Sequence, residues 1–307
     1  MSGMPQVQGS VLVMQGDIPI VDVTAVDCTP WTRFQIASVS KQFTAAAVLR
    51  LAERGVLRVD DRIGRWIDAC PPSWRDITLH HLLTHTSGLG HWRDYPMIDP
   101  TRRLEPAELR QTFQWVPPFF APGTGWRYSS PGYVLLAHVV QRATDEPYRD
   151  WLSREIFAPL GMQQTFVGSP GEREQVARGS GRDGSPVPSF ELDVLGMGAG
   201  DVWSTTGDLI AWIDSLRAGR LLSEPYRTLM LSEQAPTGGD SDASGYGYGW
   251  FIGSFSGQPW FHHSGDNPGF CAFDACLPES DLRIVVLSNS EALDPAMISQ
   301  LLVAVLQ

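Results

Sequence analysis

The stretch 38–54 (SVSKQFTAAAVLRLAER) limits what this chain can become more than any other segment. Val39, Phe43, Ala46, Ala47, Leu49, Leu51 and Ala52 leave few polar positions, and Gly55 supplies a helix stop. A helix that is apolar on most sides has no face to offer water, so it must lie at the centre of the protein with other elements around it. With 307 residues, 43% of them hydrophobic, the chain can build that enclosure as one large domain or two smaller ones.

Strand-like runs occur at both ends of the chain. Residues 10–14 and 18–26 flank Gly16-Asp17, a hairpin signal. Near the C-terminus, 247–255 with 260–263, then 270–277 and 283–288 read as strands, and 295–306 as an amphipathic helix. Between them the reading is mostly helical, with helices expected over 131–143 and 148–160 and a surface loop over 169–189. A further helix starts near Thr205, with Asp208 placed for a capping box, and runs to about Leu216. Strands at the two termini imply one sheet assembled from both. The expected class is α+β: a mainly antiparallel sheet domain from 1–59 and 198–307, an inserted helical domain over 60–197, and a cleft where they meet.

Lys41 is the only lysine in the chain; every other basic residue is arginine. Arginine cannot lose its proton in a protein, whereas a desolvated lysine can and then accepts one. Lys41 also lies three residues after Ser38, on one helical face. Burial lowers its pKa, and the helix N-terminus offers amides and a dipole to a developing oxyanion. Together these make Ser38 an activated nucleophile and Lys41 its base. Taken alone, the pair also reads as an N-cap serine with a solvated first-turn lysine.

The order of motifs decides between the two. FQIASVSKQFT (34–44) resembles the nucleophile segment of class C serine β-lactamases and their relatives, the penicillin-recognising esterases, D-aminopeptidases and DD-peptidases. The YxN position of that family is matched by Tyr128-Ser129-Ser130 within PGTGWRYSSPGYVLLAHVV. Its KTG-like triplet is matched by His263-Ser264-Gly265 within WFHHSGDNPGF. LLTHTSGL (82–89) and GAGDVWSTTGDL (198–209) are similar to family segments as well. The resemblance implies a class C β-lactamase-like fold, with Ser38 acylated, Lys41 as base and Tyr128 relaying the proton to the leaving group. It also implies an oxyanion hole from the Ser38 and Asp266 amides, substrate contacts from Ser130, His263, Ser264 and Gly265, and neither cofactor nor metal.

Two positions depart from the family. Ser130 replaces the usual Asn and, standing before Pro131, reads equally as an N-cap. His263 replaces the usual Lys; a histidine titrating near neutrality would lose its hold on a substrate carboxylate as pH rises. His262 should face the other side of its strand and pack.

What resolves the acyl-enzyme defines the activity on a small-molecule ester or amide. Water gives an esterase, amidase or β-lactamase; an amine gives a transacylase. A relative that binds or holds an acyl group without turnover is the non-enzymatic alternative. Esterase or amidase activity is the leading expectation.

Other classes fit less well. A formal net charge of -11 opposes nucleic-acid and anionic-lipid partners. The first residues lack a basic, apolar secretory pattern and no run has membrane-spanning length, so a cytoplasmic location is expected. His81 and His85 have the spacing of a helical zinc pair, with His80 and His91 nearby, but Leu82 stands where a metalloprotease carries its glutamate. Hydrogen-bonded structural histidines are the better reading. Cys271 and Cys276, five apart in one strand, fall on opposite faces roughly 16 Å apart at about 3.3 Å per residue. All four cysteines, Cys28 and Cys70 included, are expected as reduced thiols. Trp126, Trp203 and Trp260 lie beside the motifs and could line a cleft.

Overall fold

The computed structural model describes residues 8–99, 102, 104–239, 243–293 and 295–305. Strands β1 (Gly9–Gln15) and β2 (Ile18–Thr24) form the expected hairpin, turning at Gly16 with φ of 55°. After β3 (Phe34–Gln35) and a 3-10 turn (Ala37–Val39) comes α1 (Ser40–Glu53). The middle of the chain supplies α2 (Leu79–Leu83), α3 (Pro106–Phe113), α4 (Ser130–Thr144), α5 (Tyr148–Leu152) and β4 (Phe166–Val167). Then follow β5 (Val202–Ser204), α6 (Thr206–Arg217), α7 (Glu224–Leu231), β6 (Ala235–Pro236) and β7 (Gly245–Tyr246). The chain closes with β8 (Phe251–Phe255), β9 (Gln258–Asn267), β10 (Phe270–Leu277), β11 (Leu282–Ser288) and α8 (Pro295–Val305). Leu306, the last residue of the expected final helix, lies outside the described residues.

Eight strands form one antiparallel sheet in the order β2-β1-β11-β10-β9-β8-β7-β6, joining the two ends of the chain as their patterning required. A second small sheet, β3-β5-β4, stands behind the nucleophile turn. One face of the large sheet is covered by α8, where Met297, Leu301 and Leu302 meet Val11, Val13, Ile284 and Val286. The other face carries α1, whose residues Ser40 to Leu49 are all inaccessible to solvent. Helix α1 is thus the buried axis that its composition demanded. No helix among the described residues is long and apolar enough to cross a membrane.

Local readings changed in four places. The segment expected as one helix over 148–160 leaves α geometry after Leu152 and makes a π-type turn over Ser153–Phe157. The strand expected from 247 begins at Phe251, because Gly249 (φ 81°) lies against α1; a Cβ there would stand 2.9 Å from the Gln42 Cα. The Thr205 side chain caps α6, accepting from the Asp208 amide at 3.2 Å, but the Asp208 carboxylate does not complete the box. It accepts instead from the Gln164 amide (2.8 Å) and the Thr165 hydroxyl (2.7 Å). Finally, Ser129 rather than Ser130 caps α4, accepting from the Gly132 amide at 3.1 Å. All four cysteines are free thiols.

Candidate active site

Ser38 sits on the 3-10 turn between β3 and α1, not within α1 itself. The residue before it, Ala37, has φ of 48°, a left-handed conformation that costs about 1–3 kcal/mol for a residue with a Cβ and is found where surrounding structure enforces it. Here β9 enforces it. A Cβ at Gly265 would stand 2.3 Å from the Ile36 carbonyl oxygen and 3.0 Å from Ser38 N, so only glycine lets the strand approach the nucleophile this closely. Gly265, expected to contact substrate, therefore has a packing duty.

Lys41 is completely buried. Its Nζ lies 2.9 Å from Ser38 Oγ and donates to the Ala199 carbonyl at 2.8 Å. Burial drives the ammonium well below the usual lysine range, and the through-space pull of the Asp201 carboxyl opposes this only in part. A neutral amine next to an alcohol can take its proton. The alternative of a solvated first-turn lysine is overturned.

Asp201 is itself buried, its titration pushed up to about 7 by desolvation, and its Oδ1 has no hydrogen-bond partner. The loop that carries it is fastened to α1 at two further points. Thr44 Oγ1 donates to the Gly198 carbonyl (2.6 Å), and the Val202 amide donates to Ser40 Oγ (3.0 Å). This is the duty of the GAGDVWSTTGDL segment: it supplies the Ala199 carbonyl that orients the lysine.

The Tyr128 ring lies 4.9 Å from Lys41 Nζ. Its hydroxyl has no well-formed hydrogen-bond partner, and burial pushes the phenol far above its usual range, with the facing Ser38 hydroxyl acting the other way. Tyr128 is held by the LLTHTSGL segment. His85, at φ of 61°, accepts from the Ser129 amide through Nδ1 (3.1 Å) and from the Arg127 amide through its carbonyl (2.9 Å). Its ring packs 4.4 Å from that of Tyr128. His85 is thus a strut, as the structural reading of the histidines required. His81 Nδ1 accepts from the Thr78 amide (3.2 Å), and His80 Nδ1 bonds Tyr248 Oη (2.8 Å). Among the described residues no group of three metal-ligating side chains converges.

The triplet strand is corrected in one respect. His263 Nδ1 lies 2.6 Å from the Ser264 carbonyl oxygen and Nε2 3.1 Å from Tyr246 Oη, in a buried setting. Desolvation, with Lys41 next in effect, pushes its titration down to about 3. The imidazole is neutral through the physiological range, so the expected loss of charge near neutrality does not occur there. His262 does face the other side, stacked 4.0 Å from the Trp260 ring.

Register determines where the Asp266 amide points. The β9–β10 hairpin closes on the pair Asn267 and Phe270, which makes that pair hydrogen-bonded; by alternation, the backbone groups of Ser264 and Asp266 turn away from β10. Pairing with β8 ends at His262, so from there that edge of β9 is open toward the Ser38 turn. Asn267 ties the strand down, its Nδ2 donating to Gln35 Oε1 (2.8 Å) and the Gly200 carbonyl (2.9 Å).

Two compartments open at Ser38. One, of about 330 Å³, includes Trp92, Ile98, Ser130, Phe190 and Leu195; the other, of about 620 Å³, includes Arg93, Trp126, Tyr128, Phe251 and Ser264. Both share Ser38, His91 and Asp266. Since Ser129 caps α4, Ser130 is released to line the smaller one. Of the three tryptophans, Trp126 borders this cleft, while Trp203 and Trp260 are buried elsewhere. Sequence reasoning missed His91, whose Nδ1 accepts from the Ser130 amide (3.3 Å), and Asp201; neither stands in a motif that names its partner.

Known proteins match the chain along its length. Esterase EstB of Burkholderia gladioli is 32% identical over 268 residues, covering 71% of this chain and 66% of its own. Penicillin-binding protein 4* of Bacillus subtilis is 29% identical over 282 residues, covering 84% of this chain and 61% of its own. The chain therefore spans somewhat less than two thirds of these relatives. Among solved structures, a penicillin-binding protein from Bacillus halodurans superposes with a TM-score of 0.86 at 27% identity, covering 97% of this chain and 96% of that one. The D-amino acid amidase from Ochrobactrum anthropi SV3 gives 0.83 at 27% identity, with coverage of 97% and 96%. Residues 6–306 match the Beta-lactamase family model, and with its motifs in the family's order and its sheet and helices in the family's arrangement, the chain belongs to the Beta-lactamase family.

Proposed function

We propose that the protein is a serine acyl-enzyme hydrolase that cleaves an ester or amide bond of a small molecule through Ser38, Lys41 and Tyr128. The observation that carries the reading is the fully buried Lys41 amine 2.9 Å from Ser38 Oγ. Family membership and the relatives named esterase and amidase support the same class. In this reading the cleft lies at the seam between the sheet domain (1–59 and 198–307) and the helical domain (60–197).

Ser38 Oγ attacks the carbonyl carbon while Lys41 takes the hydroxyl proton. The carbonyl oxygen becomes an oxyanion between the Ser38 and Asp266 amides, donors whose loss elsewhere costs about 10²–10³ in rate. Collapse breaks the bond to the leaving group, which receives a proton through Tyr128, and the acyl group stays on Ser38. A water then adds to the same carbonyl, returns the proton and frees the acid. Ser130, His263 and Ser264 border the bound substrate. Proton transfer and carbonyl addition need no cofactor.

The test follows p-nitrophenyl esters and nitrocefin by product release and by intact mass. Turnover that disappears in Ser38→Ala is expected. A stable adduct without turnover would make the protein an acyl-binding relative, and amide formation on adding amines would make it a transacylase.

A further inference from the structure

We infer that Asp201 is the counter-charge of Lys41: a carboxyl sealed behind the base that shares one proton with it at rest and stabilises the ammonium formed when Ser38 gives up its proton. The role in catalysis rests on the hydrolase reading above; the shared proton does not.

The loop fixes the position. Three hydrogen bonds hold residues 198–202 against one face of α1: Thr44 Oγ1 to the Gly198 carbonyl, Lys41 Nζ to the Ala199 carbonyl, and the Val202 amide to Ser40 Oγ. Lys41 and Thr44, three residues apart, share that face. The Asp201 carboxyl folds back over the loop, accepting from the Gly198 amide and from its own. It acts through space on Lys41 and on Tyr148, whose hydroxyl lies 2.6 Å from Thr44 Oγ1. The carboxyl therefore sits on the Lys41–Thr44 side of the loop, 1% exposed, with Oδ1 unpartnered.

A buried carboxyl with an unpartnered oxygen is costly unless a charge or a proton meets it. Lys41 has the converse need. Once protonated, its amine stands in a fully buried place where both acceptors, Ser38 Oγ and the Ala199 carbonyl, are uncharged. Among the described residues, the other titratable groups around Lys41 bring no negative charge. His85, His91 and His263 are held neutral by burial, and Lys41 pushes each further down. The neighbouring phenols of Tyr128 and Tyr133 are pushed up and stay protonated. Burial pushes Asp201 up to about 7; Asp193, which stands 3.8 Å from Arg149, adds to this, and backbone amides and Lys41 oppose it.

With one proton on the pair, it rests on the carboxyl beside a neutral amine or on the amine beside a carboxylate. With none, a carboxylate waits beside a neutral amine. The Ser38 O–H bond then breaks, an N–H bond forms on Lys41, and the ammonium meets a charge already in place. The proton leaves through Tyr128 to the leaving group, and the amine is neutral again.

Because Lys41 is the only lysine, carbon-13-labelled lysine gives a single side-chain signal set. The experiment follows the Lys41 Cε shift from pH 5 to 10 in the parent and in Asp201→Asn. Linked groups titrate in steps that belong to the pair, so the parent curve should show two inflections. The variant should show one, displaced downward by at least about one pH unit, the effect of removing an opposite charge several ångströms away at an effective dielectric near 20. A carboxyl that merely packed the loop would leave the lysine curve where it was. At pH 8, kcat/KM on a p-nitrophenyl ester should fall about tenfold or more in the variant. Coincident curves, or an unchanged rate, would overturn the inference. Should Asp201→Asn fail to fold, the parent curve decides: two inflections uphold the shared proton and one overturns it. Absence of Ser38-dependent turnover in the parent is a different result, which removes the hydrolase reading and leaves the titration to decide the shared proton.

Discussion

Lys41 and Gln42 are neighbours on α1, are equally inaccessible to water, and each has a buried carboxyl close by. Gln42 uses its whole side chain. Its Nε2 donates to both Asp274 oxygens (2.8 and 2.9 Å), and its Oε1 accepts from Trp212 Nε1 at 2.8 Å. Around Lys41 the satisfaction is incomplete: Asp201 Oδ1 and Tyr128 Oη have no hydrogen-bond partner. A saturated polar network in a low dielectric fixes one geometry, whereas an unsaturated one keeps acceptors and donors free for protons that move. One turn of helix thus carries a structural cluster and a reactive one side by side, distinguished by what each leaves unbonded.

The largest expected effect falls on Lys41. Lys41→Arg retains the charge and removes the capacity to accept a proton, so kcat/KM on a p-nitrophenyl ester should fall by about 10³ or more. Lys41→Met removes a buried amine altogether and should be no less stable than the parent in a thermal melt, because functional polar groups are held at a stability cost. A Lys41→Arg protein with near-parental rate would erase the distinction between the two clusters.

Gln42 should behave in the opposite way. Gln42→Ala removes the side-chain partner of Asp274, which keeps only backbone hydrogen bonds, and leaves the Trp212 indole without a partner in the core, a loss of about 1–3 kcal/mol for each affected group. Thermal melting should show that loss, while the rate per folded molecule changes only several-fold. A large fall in rate with unchanged melting would mean that the structural cluster is part of the chemistry.

The reactive half of this contrast was largely legible in the sequence. A lone lysine three residues from a serine, at the head of a segment apolar on every side, states both the pair and its burial in local terms. The structural half was not. Gln42 and Asp274 are separated by 232 positions, and nothing near either one names the other. The same limit explains His263: its identity is local, but its neutrality comes from burial and from Lys41, which arrives on α1 more than two hundred positions away in the chain. Ser129 and Ser130 show how narrow such margins are. Both precede Pro131, and the cap went to Ser129 because Ser130 is already within the helix. Asp201 belongs to the GAGDVWSTTGDL segment, but its proximity to Lys41 follows from the way that loop is tied to α1.

Asp274 gives the finest test of the comparison. Desolvation raises its titration from the ordinary 3.8 to about 8, against the lowering effect of the Gln42 amide. For an acid raised in this way the folded state holds the proton longer than the unfolded one. Its contribution to stability is fully present below about pH 4 and is lost progressively as pH rises toward 8, while the unfolded chain ionises and the folded chain does not. Asp274→Asn cannot ionise and keeps one acceptor for Gln42 while turning an amide donor toward the other. At pH 4 the variant should therefore melt slightly below the parent. Between pH 4 and 8 the parent should lose stability relative to the variant, so that the gap narrows or reverses. Melting curves that stay parallel over this range would mean that Asp274 is ionised in the folded protein, and the cluster around Gln42 would then be a charged one whose resemblance to the Lys41 site goes further than its hydrogen bonds suggest.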